Sequence, residues 1–360
     1  MSSINLDFRP MNLQSASERE YQCAAEFKNL LNKEYYPEDP PIPLEEQVQG
    51  WKNIPAFVDL QTYAGWDTSG RQILAFGEID VANTESNEHL AFFNIEVMPE
   101  YRRLGFGRKM LKMLLPFAKD RHRSMLMVWA SERIPAAGSF LERMGARKGL
   151  ESHINQLKMS EFDRVLMDRW LEKGRHLESE FEMGLWDGPV PEEHLVKMSG
   201  LIQELANDQP RDSLAMEDIK FTPKMMREVE SYFFGKGSKR WILYVIDKSI
   251  GSFVGLTEIF WSPNRPGILN QGFTAVYPEY RSRGLGRWLK ARMIKKILEE
   301  RPEVEVIRTG NANSNAPMLK INQEMGFKPY FASALWQVET LQVEDYLQTH
   351  ASPKTDLHPS

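Results

Sequence analysis

Apolar and polar residues alternate over residues 56–63, 72–81 and 90–97, the two-residue period of strands that bury one face. From about residue 105 to 119 the apolar positions recur every three or four residues, which predicts a helix. Residues 124–129 read as a short buried strand, and 137–144 as a second helix. Ahead of this block, a short strand near 6–10 and a helical stretch near 16–32 lead into 38–43, a proline-rich loop. The same order returns in the second half. Strands are expected near 241–246, 252–261 and 272–276, a helix over 286–299, a strand over 304–309 and a helix over 316–325. Between the halves, Phe162, Leu166, Trp170 and Leu171 fall at helical spacing within 160–176, a connecting helix. Residues 351–360 are polar with two prolines and read as a loose tail.

The duplication is nearly literal at one place. The run Val97-Met98-Pro99-Glu100-Tyr101-Arg102-Arg103-Leu104-Gly105-Phe106-Gly107-Arg108 recurs as Val276-Tyr277-Pro278-Glu279-Tyr280-Arg281-Ser282-Arg283-Gly284-Leu285-Gly286-Arg287. Glu78-Ile79 matches Glu258-Ile259 upstream, and Met144-Gly145 matches Met325-Gly326 downstream. A repeat unit of this length is a whole domain, not a solenoid turn. The expected division is therefore 1–158, a connecting helix at 159–176, a second domain at 177–347 and a tail at 348–360.

The repeated run, Val-x-Pro-x-x-Arg-x-x-Gly-x-Gly, leaves a strand and opens a helix. Glycines there let backbone approach a ligand closely. The first helical turn has N–H groups without partners, and the helix dipole favours negative charge. Such a turn can hold a pyrophosphate, with charge added by Arg281, Arg283 and Arg287 or by Arg102, Arg103, Arg108 and Lys109. A plain turn into a helix is the simpler reading, but the lead-in and its recurrence make the run specific. It is not the dinucleotide fingerprint Gly-x-G-x-x-Gly, nor a loop ending in Gly-Lys-Ser/Thr.

Composition narrows the rest. The 360 residues are 42% apolar and 26% charged, an ordinary soluble globular balance with room for two domains. A net charge of −5 argues against a nucleic-acid surface and suits a cationic amine. The single cysteine, Cys23, excludes an internal disulfide and a cysteine-based metal site; a buried structural role is expected for it. No run approaches the roughly 18 apolar residues of a spanning helix, and the N-terminus has no signal-peptide core. A cytoplasmic protein with no membrane partner and no metal is expected.

These residues make the chain resemble the GNAT superfamily, whose coenzyme A signature is this run. The resemblance implies an α/β fold, more closely an α+β mixed sheet, in two tandem domains, each splayed after its fourth strand. It implies an N-acetyltransferase that takes its acyl group from acetyl-CoA and gives it to a small-molecule amine. By position, Val276, Arg281, Arg283, Gly284, Leu285, Gly286 and Arg287 would hold the pyrophosphate in the second copy. Val97, Arg102, Leu104, Gly105, Phe106, Gly107 and Arg108 would do so in the first. The second copy continues with Thr309-Gly310-Asn311-Ala312-Asn313-Ser314-Asn315, then Met318, Asn322 and Gly326-Phe327, similar to the tandem type that includes mycothiol synthase. The resemblance puts Asn311, Asn315 and Asn322 at the cofactor arm; asparagines at a strand end can equally be turn and capping residues. The first copy has Ile134, Leu141 and Ala146 where Asn315, Asn322 and Phe327 align, so the chemistry is expected in the second.

Acetyl transfer to an amine needs a base, an oxyanion donor and a way to release the thiolate. Glu258, on the third strand of its copy, is the base candidate, with substrate contact or an exposed strand carboxylate as the other readings; Glu78 is its counterpart. The backbone near residues 274–276 would be the oxyanion donor by resemblance. The tyrosine that often serves as acid is replaced by Asn322, and nothing links Tyr330 to the sulfur. A non-catalytic acyl-CoA sensor or partner-binding protein is the alternative.

Overall fold

The computed structural model describes residues 5–350, so the expected tail at 351–360 lies outside the described residues. Strand β1 (Asp7–Pro10) precedes helix α1 (Glu18–Tyr35). Ser17 opens that helix with a capping box: its hydroxyl accepts from the Glu20 N–H, and the Glu20 carboxylate accepts the Ser17 N–H at 2.8 Å. Helix α2 (Leu44–Lys52), which the sequence pattern did not announce, follows the proline-rich loop. Strands β2 (Val58–Trp66), β3 (Ile73–Ala82) and β4 (Leu90–Val97) make an antiparallel meander. Helix α3 (Phe106–Asp120), strand β5 (Met125–Ser131), helix α4 (Pro135–Arg143) and strand β6 (Arg147–Lys158) complete the first half.

Asp163 caps the connecting helix, α5 (Arg164–Arg175), through the Leu166 N–H. The second half runs β7 (Phe181–Asp187), α6 (Leu195–Asn207), α7 (Pro223–Gly235), β8 (Lys239–Asp247), β9 (Ser252–Trp261) and β10 (Ile268–Val276). It ends with α8 (Leu285–Glu300), β11 (Val306–Ala312), α9 (Ala316–Glu324), β12 (Lys328–Glu339) and α10 (Thr340–Thr349). Trp170 and Met167 of α5 join the core beneath α8, so the connector packs on the second half. Cys23 is only half-buried, and its thiol donates to the Arg71 carbonyl at 3.3 Å. It lies on α1 beside the core, one position off the fully buried stripe.

The twelve strands of the described residues form one sheet, in the order β1-β2-β3-β4-β5-β12-β6-β11-β10-β9-β8-β7. The halves exchange their last strands. β12 pairs with β5 in the first half, β6 pairs with β11 in the second, and β6 and β12 pair with each other at the centre. A second tie is ionic. Arg308 of β11 forms two hydrogen bonds of 2.6 Å to Asp39, and its guanidinium lies 4.6 Å from the Tyr36 ring centre.

Two gaps in this sheet position the site. β4 and β5 run parallel only where Leu90–Phe92 face Met125–Met127, and then part. β10 and β11 likewise pair only where Ile268–Asn270 face Val306–Arg308. α3 packs across β3 and β4 through Met110, Leu111 and Leu114, all fully buried. Burial of each such side chain contributes about 1.5–3 kcal/mol. At the place of Leu111, α8 carries Lys290, which is just as buried.

Candidate functional site

The repeated run forms the same turn twice. Gly105 (φ 88°) and Gly284 (φ 92°) stand in the left-handed region at the starts of α3 and α8, a conformation that favours glycine. Arg103 (φ 65°) and Ser282 (φ 62°) are left-handed two residues earlier. Alternation of this kind turns successive N–H groups toward a common point, an anion-binding concavity. A side chain added at Gly105 or Gly284 would meet nothing within 4 Å, so both cradles face open space. Arg102 and Arg281 act as straps. Their Nε groups donate back to the carbonyls of Val97 (2.9 Å) and Val276 (3.1 Å), and their forks bind Glu34 and Asp208.

Around the cradles the two halves differ. In the second half, Arg283 is ion-paired to Glu180 at 2.5 Å and covers Phe181. Arg287 makes two hydrogen bonds to Glu324, of 2.8 and 2.9 Å. All three arginines of that motif are thus committed to carboxylates. In the first half, Arg103, Arg108 and Arg143 border the cradle and have no carboxylate partner among the described residues. Arg143 occupies the place of Glu324.

A cavity of about 430 Å³ runs from this first cradle into the gap between β4 and β5. Of the residues the sequence reading assigns to the first pyrophosphate site, Val97, Arg102, Leu104, Gly105, Gly107 and Arg108 line it. The side chain of Phe106, the first residue of α3, is buried in the core, which leaves its backbone N–H for the cradle. Ile134 and Leu141, which stand where the second half has asparagines, form apolar walls of the cavity. A second cavity, of about 710 Å³, adjoins the first toward β6, β11 and β12. Tyr35, Phe93, Asn94, Glu96, Val128, Trp129 and Ala130 belong to both and mark the junction.

The second cavity is acidic. Glu78 and Asp80 of β3 share a face, and Glu96 of β4 joins them. Lys28 of α1 pairs with Glu96 and lies 3.7 Å from Glu78. Burial disfavours the Lys28 charge, but Glu78 and Glu96 outweigh it, so the pKa is raised. Asn94 donates to Glu78 at 3.4 Å. Asp80 has no such partner among the described residues; burial, and then the charge of Glu78, push its carboxyl up to about 7. Burial and then Glu96 push the Tyr35 phenol up to about 12, so it keeps its proton at neutral pH.

The second-half candidates have other surroundings. Glu258 is buried and accepts the Phe273 N–H at 3.3 Å; burial raises its pKa, partly offset by Arg240 and by that hydrogen bond. The strand opposite shifts register between Gln271 and Thr274, close to the expected oxyanion donor. Asn311 accepts from Asn322 (2.7 Å) and Asn155 (3.4 Å). Asn315 caps α9 through the Met318 N–H and donates to Gln209 at 3.2 Å, so its side chain is taken up by the capping role. Leu285 is buried in the core, and Gly286 faces Ile321. Tyr330 stacks on Tyr36, its hydroxyl buried without a partner. Sequence reasoning passed over Lys28, Tyr35, Asp80, Glu96, Trp129 and Arg143. The readable signal was the pair Glu78 and Asp80, two polar residues alternating with Ile79 and Val81 on an otherwise apolar strand. Among the described residues no group of three or more His, Cys, Asp or Glu could hold a metal ion, and no helix is long and apolar enough to cross a membrane.

Residues 24–146 match the acetyltransferase (GNAT) family model. No curated protein matches the sequence. Among solved structures, a tandem GNAT protein from the clavulanic acid biosynthesis pathway is similar at a TM-score of 0.74 and 21% identity, over 93% of this chain and 99% of that one. A GCN5-related N-acetyltransferase from Sphaerobacter thermophilus aligns at a TM-score of 0.64 and 13% identity, over 92% and 96%. The chain thus carries a GNAT acetyltransferase-family domain in its first half, and as a whole it has the tandem GNAT fold.

Proposed function

We propose that this protein is an N-acetyltransferase that moves an acetyl group from acetyl-CoA to an amine of a small molecule, with the first half as its working site. The observation that carries the reading is a single path through that half. It starts at a glycine cradle bordered by three uncommitted arginines and ends at three carboxylates. The cradle and Arg103, Arg108 and Arg143 suit the cofactor's phosphates. The gap between β4 and β5 suits its pantetheine arm. Acetyl-CoA would supply the acyl group. The chain would receive the ammonium of the acceptor, accept its proton at Glu78 or Asp80, and shield the junction with Tyr35 and Trp129. A carboxylate whose pKa lies near 7 is matched to proton transfer at neutral pH.

A second reading keeps the chemistry in the second half, with Glu258 as base and Asn311, Asn315 and Asn322 along the cofactor arm. The raised pKa of Glu258 beside the irregularity in β10 favours it. Calorimetry with acetyl-CoA separates the two. Arg108→Glu with Arg143→Glu should weaken binding about a hundredfold, and Arg283→Glu by less than about threefold. The reverse ranking would move the site to the second half. Release of free thiol in the presence of an amine panel distinguishes an enzyme from an acyl-CoA-binding sensor.

A further inference from the structure

The acidic cavity is selective in its lining as well as in its charge. Six aromatic side chains line it, Tyr35, Tyr36, Phe92, Phe93, Trp129 and Phe331, beside neutral polar ones such as Ser152 and Asn311. Trp129 leaves 50% of its surface exposed on β5, although its neighbours Val128 and Ala130 are buried. An indole held open at a cavity wall is apolar surface that a ligand can cover, and its face attracts cations. Three carboxylates border this space, and among the described residues Lys28 is the cation paired with them. The nearby guanidinium groups are turned elsewhere. Arg133 donates to the carbonyl of Tyr330 at 3.0 Å and lies over Phe331, and Arg308 is paired with Asp39. Negative charge therefore exceeds positive inside the cavity, and Asp80 has no partner among the described residues.

A carboxylate in that position costs stability unless something cationic joins it. A free carboxylate on the ligand would meet repulsion from Glu78, Asp80 and Glu96, with no arginine lining the space to offset it. A ring laid against Trp129 would cover apolar surface that water now meets.

We infer that the acceptor is a primary amine with an apolar, aromatic body and no carboxylate, its ammonium held by Asp80 and Glu78 and its ring laid against Trp129. This rests on the first-half reading of the site. Amino acids and amino sugars are thereby the disfavoured acceptors.

The experiment compares phenethylamine, phenylalanine and glucosamine as acceptors for the full chain, following thiol release from acetyl-CoA, with acetyl-CoA binding measured separately by calorimetry. Phenylalanine tests the carboxylate on the same ring, and glucosamine tests the polar body. The expected result is a kcat/KM for phenethylamine at least tenfold above both. Asp80→Asn should lower that value at least tenfold, with a raised KM for amine, and leave acetyl-CoA affinity unchanged; Glu78→Gln should act in the same direction. The inference is overturned if phenylalanine or glucosamine equals phenethylamine, if acetyl-CoA binds but none of the three is acetylated, or if Asp80→Asn changes nothing. Should acetyl-CoA binding survive the charge reversals at Arg108 and Arg143, the placement of the site fails instead, and the calorimetry registers that separately.

Discussion

The two halves share a turn almost residue for residue, yet only the first keeps arginines beside it that have no carboxylate partner among the described residues. In the first half, Arg108 and Arg143 lie together at the cradle; in the second, Arg287 is clamped by Glu324. Deeper in, β3 carries Asp80 where β9 carries Phe260, stacked on Phe233 with ring centres 4.7 Å apart. Glu96 of β4 corresponds to Ala275 of β10. Around its cradle the second half pairs its arginines with carboxylates, and Phe260 fills the place of Asp80, as in a structural partner. The first half keeps unpaired charge and open volume, the pattern of a site that sacrifices stability for binding. A shared motif thus specifies a backbone shape, and the residues facing it decide whether the shape is used.

The sharpest way to break this comparison is a matched pair of glycine changes. Gly105→Val and Gly284→Val both force a branched residue into the left-handed region and should each cost roughly 1–2 kcal/mol of stability. Only Gly105→Val should also lower acetyl-CoA affinity, by about a hundredfold, since its side chain would enter the cradle in use. Thermal denaturation and calorimetry on both variants test it; equal losses of affinity would mean both halves bind.

The next effects are on stability, with opposite pH signs in the two halves. Lys290 is held at about 7 by burial, and its main partner is Gln271 at 2.6 Å. A lowered lysine pKa means the unfolded chain binds the proton more tightly, so native stability rises with pH between about 7 and the ordinary 10.5. Lys290→Met should therefore stabilise the protein by about 1–3 kcal/mol at pH 6, with the gain shrinking toward pH 10. Asp80 runs the other way. Its raised pKa makes the native state the tighter proton binder, so stability falls as pH rises from the ordinary 3.8 to about 7. Asp80→Asn should be about 1–2 kcal/mol more stable than the parent at pH 8 and no different at pH 3.5. Urea unfolding from pH 3.5 to pH 10 checks both signs.

Much of the fold was legible because its strands are half-buried and alternate. β3, β4, β9 and the cradles emerged from local pattern alone. β6 and β12 did not, since each takes its partners from the other half, and no local period announces an exchange. α2, α6 and α7 were hidden in the segments that vary between the copies. The cradles were legible as backbone, but their state was not. Whether an arginine faces a ligand or a carboxylate depends on residues such as Glu180 and Glu324, far along the chain. The replacements Ile134 and Leu141 read as a loss of function in the first half; in place, they are the apolar wall of a cavity.

The mildest change is the most specific test, because it imports one feature of the second half into the first. Arg143→Glu puts a carboxylate where α9 has Glu324, opposite Arg108, the counterpart of Arg287. Both positions lie toward solvent, so folding should be nearly unaffected, as surface ion pairs contribute about 0–1 kcal/mol. Binding should respond more. Arg108 would be taken up by the new partner and the cradle would lose one positive charge and gain a negative one, for about a tenfold loss of acetyl-CoA affinity. Higher salt should narrow the difference between variant and parent, because solvent-facing charges are screened over about 8–10 Å near physiological ionic strength. A variant that binds as tightly as the parent at low salt would show that the clamp on Arg287 is incidental. The asymmetry between the halves would then rest on Asp80, Glu96 and the filled space around Phe260 alone.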